Sequence, residues 1–118
     1  YLMLAEKLWS HGNAFNGGWN FGSDERDARP VAWIADRLVQ LLGEGASWQQ
    51  DPDVQPHEAH YLKLDCSKAK SLLGWSPQID LETTIAWIAD WYRAFRDGGD
   101  MRQVTEAEIQ RYEALGAD

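Results

Sequence analysis

The stretch that decides the fold is Gln55–Trp75, QPHEAHYLKLDCSKAKSLLGW. Tyr61-Leu62-Lys63-Leu64 alternates ring or aliphatic residues with polar ones, which suits a short strand. Asp65 stops it, because its carboxylate can accept from the free N–H groups of a following turn. Ser67-Lys68-Ala69-Lys70-Ser71-Leu72-Leu73 reads as a two-turn helix with its apolar residues gathered at the end. Gly74 stands where a left-handed residue commonly closes a helix. Trp75 and Pro77 then turn the chain outward.

Upstream, Tyr1–Trp9 places Leu2, Ala5 and Leu8 or Trp9 on one helical face. Ser10-His11-Gly12-Asn13 is a helix exit. Trp19-Asn20-Phe21 is expected to be a short strand, and Gly22–Asp27 is charged and loop-like. Pro30 suits a first helical turn, where its missing N–H costs nothing. Val31, Ile34, Ala35, Leu38, Leu41 and Leu42 then make an amphipathic helix ended by Gly43. Ala46–Gln50 is a second candidate strand, with Trp48 on one side, and Asp51–Pro56 is a turn or loop.

Downstream, Asp80 can cap a long helix. Leu81, Ile85, Ile88, Tyr92 and Phe95 form one stripe on it. Trp87 and Trp91 form another, so this helix is expected to bury two faces. Gly98-Gly99 ends it. Thr105-Glu106-Ala107-Glu108 spells a capping box for a last helix running to about Leu115.

The chain has 118 residues, enough for one small domain with a modest core. A net charge of −8 argues against unassisted binding to nucleic acid or an anionic membrane, since a phosphate backbone needs a basic face. No apolar run is long enough to span a bilayer. The lone cysteine, Cys66, rules out an internal disulfide and fits a reducing compartment, so a cytoplasmic location is expected. Tyr1 opens in the middle of an apolar helical pattern with no cap before it. The chain is therefore expected to be a piece of a longer protein.

The words of the opening stretch carry a further signal. D-x-S-K-A followed by L-G-W-x-P (Asp65, Ser67, Lys68, Ala69, Leu73, Gly74, Trp75, Pro77) resembles the C-terminal part of the extended short-chain dehydrogenase/reductase family. That family includes the nucleotide-sugar epimerases and dehydratases. PHEAHYLKLD, WNFG at Trp19–Gly22 and ARPV at Ala28–Val31 narrow the resemblance to its CDP-glucose 4,6-dehydratase branch. The resemblance implies an α/β enzyme with a Rossmann lobe. This chain would be its mostly helical C-terminal substrate-binding lobe with a few short strands, the N-terminal dinucleotide-binding part being absent. Residues 1–12 would be a remnant helix of the larger lobe, 13–100 the substrate lobe and 101–118 a C-terminal helix. The implied activity is NAD-dependent conversion of CDP-glucose to a 4-keto-6-deoxy sugar nucleotide, and a homodimer is a possible assembly.

Two things that such chemistry needs are absent from the sequence. There is no glycine-rich strand-to-helix turn to cradle a pyrophosphate. There is also no tyrosine with a lysine four residues on; the residues four after Tyr1, Tyr61, Tyr92 and Tyr112 are Ala5, Asp65, Arg96 and Gly116. No catalytic residue is therefore assigned, and NAD is not expected to bind this chain alone.

Substrate binding remains. Many relatives read R-P-G-D where this chain has Gln55-Pro56-His57-Glu58, the arginine meeting the diphosphate and the acid the ribose. The resemblance thus implies a ribose contact for Glu58. Gln55 lacks the arginine's charge, and His57 can supply a donor in its place. Arg29, at a helix N-terminus where a positive charge is unfavourable, would be offset by a ligand phosphate or by Asp24, Glu25 or Asp27. The bland reading of Gln55–His60 is a solvated loop.

His57, Glu58, His60 and Cys66 lack metal-site spacing, and no metal is assigned. Trp9, Trp19, Trp48, Trp75, Trp87 and Trp91 are read as core or interface before carbohydrate platform. A related nucleotide-sugar epimerase, or a stand-alone tryptophan-rich domain binding a protein or glycan, remains the alternative.

Overall fold

The chain is described by a computed structural model covering residues 1–53 and 63–116. Its elements are five helices, α1 (Leu2–His11), α2 (Val31–Leu42), α3 (Ser67–Leu73), α4 (Leu81–Arg96) and α5 (Met101–Ala114), with short 3-10 turns at Gly12–Phe15 and Glu25–Asp27.

Helix α4 is the centre. Asp80 caps it, its carboxylate accepting from the Thr83 N–H at 2.8 Å. One turn apart on its inner face, Ile85 is 2% exposed and Ala89 fully buried. Helix α2 packs along one side of α4 and α5 along another, but Ile88, Tyr92 and Phe95 of the expected first stripe are exposed, so that stripe is covered only in part. Arg37 of α2 pairs with Glu82 in the first turn of α4 at 2.8 Å. Glu44, just past α2, pairs with Arg96 at the end of α4 at 2.9 Å, so the two helices run in the same direction.

Helices α4 and α5 form an antiparallel hairpin. The Trp91 indole N–H donates to the Thr105 hydroxyl at 3.1 Å, and the Arg111 guanidinium lies 4.1 Å from the Trp87 ring centroid. The corner between them demands glycine twice. Gly98 has φ of 76°, and a Cβ on Gly99 would sit 2.9 Å from the Ala94 carbonyl oxygen.

Two expectations are corrected. Helix α5 begins at Met101, not at Thr105: Asp100 caps it, accepting from the N–H groups of Arg102 and Gln103. Aspartate ranks at least as high as threonine at that position, and it comes first after the Gly-Gly corner. No strand forms among the described residues. At Trp19-Asn20-Phe21 and Ala46–Gln50 the backbone is irregular, because an alternating run needs a neighbouring strand to satisfy its N–H and C=O groups. Side chains are engaged there instead: Asn20 donates to the Asp65 carbonyl and Trp48 to the Asp36 carboxylate. Lys63 and Leu64 are likewise irregular, and Tyr61-Leu62 lies outside the described residues.

The core is small. Cys66, Ala69, Leu73, Ile85 and Ala89 are the buried apolar residues among those described. Leu2 is 83% exposed and Trp9 93%, so the apolar face of α1 is uncovered. The radius of gyration is 17.9 Å, well above the roughly 13–14 Å of a compact chain of this length. No helix of the described residues is long and apolar enough to cross a membrane.

Two outcomes follow for urea denaturation read by circular dichroism. Ile85→Ala should cost about 2–5 kcal/mol, whereas Ile88→Ala, on the exposed side of the same helix, should cost about 1 kcal/mol or less. The Asp80 carboxyl is held below its usual range, mainly by the Thr83 backbone N–H that it accepts from. A lowered folded-state value gives stability that is present above the unfolded value of about 3.9 and lost as pH falls through the folded one. The urea midpoint should therefore fall more steeply between about pH 5 and 3 than that of Asp80→Asn, which keeps a capping oxygen without the charge.

Candidate functional site

The residues of the decisive stretch and of WNFG meet in space. Asp65 forms the turn expected of it, accepting from the Ser67 N–H at 2.8 Å; the Ser67 hydroxyl first, and then this N–H, hold its carboxyl below the usual range. Helix α3 follows and closes on Gly74, left-handed at φ 65°. Against this unit lies the segment from Gly17 to Asp24. The Asn20 amide donates to the Asp65 carbonyl at 3.2 Å, and the Lys68 ammonium to the Gly18 carbonyl at 3.0 Å. A Cβ added to Gly22 would meet Leu64 and Cys66 at ordinary van der Waals distance. Phe21 meets Trp75 edge-on at 5.1 Å between centroids, and Tyr1 meets Phe21 at 5.3 Å.

Two ion pairs border the junction. Lys70 reaches Asp24 at 2.5 Å, and Lys63 reaches Glu25 at 3.1 Å. The Lys70 hydrogen bond pulls the Asp24 carboxyl down, and Asp24 in turn raises Lys70. Cys66 is buried, its thiol donating toward the Leu64 carbonyl, which makes it a packing residue rather than an accessible nucleophile.

Gln55, His57 and Glu58, with His60, lie outside the described residues. Their segment leaves Asp53 and returns at Lys63, beside the junction. Arg29 is exposed and donates to the carbonyl oxygens of Arg26 and Ala28, both at 3.1 Å. Its guanidinium lies 5.5 Å from the Trp33 ring centroid. Asp24 and Glu25, two of the acids offered as its partners, are engaged by Lys70 and Lys63 instead.

Sequence reasoning singled out neither Lys63 nor Lys70. Their partners stand 38 and 46 residues away, and no local spacing announces such pairs. It also left Arg26 aside, whose charge helps to lower both Asp24 and Asp80. Arg26, Arg29, Lys63, Lys68 and Lys70 lie around the 3-10 turn at Glu25–Asp27 and α3, interleaved with Asp24, Glu25, Asp27 and Asp65, and Lys63 and Lys70 are paired within the chain.

The tryptophans are mostly engaged. Lys68 lies 4.2 Å from the Trp19 ring centroid and Phe15 stacks on the same indole at 6.0 Å, so little of that ring is open to a sugar. Among the described residues no group of three or more His, Cys, Asp or Glu is placed to hold a metal ion. The residues of this chain also do not fit NAD, for want of a glycine-rich turn and of the tyrosine–lysine pair.

No protein-family profile matches the chain. A Salmonella typhimurium protein, CDP-glucose 4,6-dehydratase, is 46% identical over 112 residues. The match takes in 95% of this chain and 31% of that relative, so the chain spans about a third of the relative's length. The resemblance read from Asp65, Ser67, Lys68, Ala69 and the Leu73–Pro77 stretch is thereby borne out: the chain is similar to CDP-glucose 4,6-dehydratase over nearly its entire length.

Proposed function

We propose that this chain supplies the nucleotide-sugar-binding surface of an NAD-dependent CDP-glucose 4,6-dehydratase, with Glu58, His57, Gln55 and Arg29 as substrate contacts. The observation that carries this reading is the 46% identity across 95% of the chain. Glu58 accepts from the ribose hydroxyls, and His57 and Gln55 donate to the diphosphate. Among the described residues Arg29 donates through one terminal nitrogen, to the Arg26 and Ala28 carbonyls, and its other N–H groups can serve a phosphate oxygen.

Hydride transfer is not a task for these residues, and no step of it is assigned to them. It belongs to an N-terminal dinucleotide-binding lobe. The uncovered α1 face of Leu2 and Trp9 is the surface offered to that lobe. A cytoplasmic location goes with this reading.

Calorimetric titration of the chain with CDP and CDP-glucose tests it. Both ligands should bind saturably and compete, and NAD should produce no heat of binding. Glu58→Gln and Arg29→Gln should each weaken binding by about fivefold to tenfold, the loss of roughly one charged hydrogen bond. Binding that both substitutions leave intact, or none at millimolar ligand, would remove the assignment.

A further inference from the structure

The chain has three asparagines, Asn13, Asn16 and Asn20, and one of them precedes a glycine. An asparagine side-chain amide is electrophilic at Cγ, and the backbone nitrogen of the next residue can close a five-membered ring on it. A side chain on that next residue crowds the closure, and a glycine does not. Asn16, Gly17 and Gly18 follow the 3-10 turn at Gly12–Phe15, and all three are exposed.

The geometry at Asn16 favours the closure. The Gly17 N–H donates to the Asn16 side-chain oxygen at 2.9 Å, so the nucleophilic nitrogen already touches the carbonyl that it would attack. The Lys68 ammonium stands close by: a Cβ added to Gly17 would lie 3.8 Å from its Nζ, and it donates to the Gly18 carbonyl at 3.0 Å. A cation there favours loss of the Gly17 amide proton. Comparable positions lack this arrangement. Asn13 lies within the 3-10 turn, its carbonyl accepting from the Asn16 N–H, and Ala14 follows it. The Asn20 amide is held by the Asp65 carbonyl, and Phe21 follows it. At Asp97-Gly98 the side chain is a carboxylate, a poorer electrophile, and the Gly98 N–H donates to the Phe95 carbonyl at 3.1 Å.

We propose that Asn16 is a site of self-modification, converting to aspartate and isoaspartate through a succinimide formed with Gly17. Hydroxide removes the Gly17 amide proton, the nitrogen bonds to the Asn16 Cγ, and the Cγ–Nδ2 bond breaks. The leaving nitrogen takes a proton from water and departs as ammonia. Water then opens the ring on either side. Breaking the new bond restores the ordinary peptide link and leaves aspartate. Breaking the original peptide bond sends the chain through Cβ and Cγ, one methylene longer, just before the segment that packs on α3. Either product sets one more negative charge beside Lys68. The inference does not depend on the nucleotide-sugar reading.

Incubation of the chain at about 37 °C, followed by peptide mapping with mass spectrometry, tests it. The peptide holding Asn16 should gain about one dalton and separate into two products, with one ammonia released per converted chain. Conversion should run at least about tenfold faster at Asn16 than at Asn13 or Asn20. It should quicken about fivefold or more between about pH 7.5 and 8.5, because the attacking species is the amide anion. Asn16→Gln, which would need a larger ring, should release essentially no ammonia. Lys68→Met should slow conversion about threefold and Lys68→Arg restore it, and an unchanged rate in Lys68→Met would strike out the cation's share. Absence of product at Asn16 after about four weeks at the higher pH overturns the proposal, as does equal conversion at Asn13 or Asn20.

Discussion

The seam between α2 and α4 is the packing on which the other contacts depend. Ala89 is fully buried there and Ile85 nearly so, which leaves no room for a larger side chain at the first position and no water at the second. The ion pairs that flank the seam, Arg37–Glu82 and Arg96–Glu44, are exposed and contribute little each. Apolar contact therefore decides. With α4 held against α2, its opposite stripe is left facing α5, and Trp91 and Trp87 meet Thr105 and Arg111 there.

The residues that carry the family resemblance act chiefly on one another. Asn20 bonds to Asp65, Lys68 to Gly18, and Phe21 meets Trp75. None of these contacts resembles a nucleophile beside a base. Their effect is to fix the turn at Asp65 and the start of α3 relative to Gly17–Asp24.

Much of this was legible because helices announce themselves locally. Ser67–Leu73 with its Gly74 stop and the Asp80 cap follow from spacing and capping chemistry, whereas the stripe of Ile88, Tyr92 and Phe95 is left exposed. The strand expectations at Trp19–Phe21 and Ala46–Gln50 failed because alternation describes a strand's faces but not whether a partner stands beside it. The start of α5 was misplaced because Asp100 and Thr105 are both credible caps, and only the tight Gly98-Gly99 corner selects the earlier one. At the candidate site, the Lys70–Asp24 and Lys63–Glu25 pairs join distant positions, so nothing in either neighbourhood alone could reveal them.

The contrast between the Gly98-Gly99 corner and the Asn20–Asp65 contact bears on the order of assembly. The corner joins helices adjacent in the chain, and a short loop closes at little entropic expense. The contacts of Asn20 and Lys68 span 45 and 50 residues and must await a much larger closure. The hairpin is therefore the early structure, and the junction of Gly17–Asp24 with α3 the late one. The same asymmetry runs in reverse during thermal fluctuation: the junction of Gly17–Asp24 with α3 opens first while the hairpin persists.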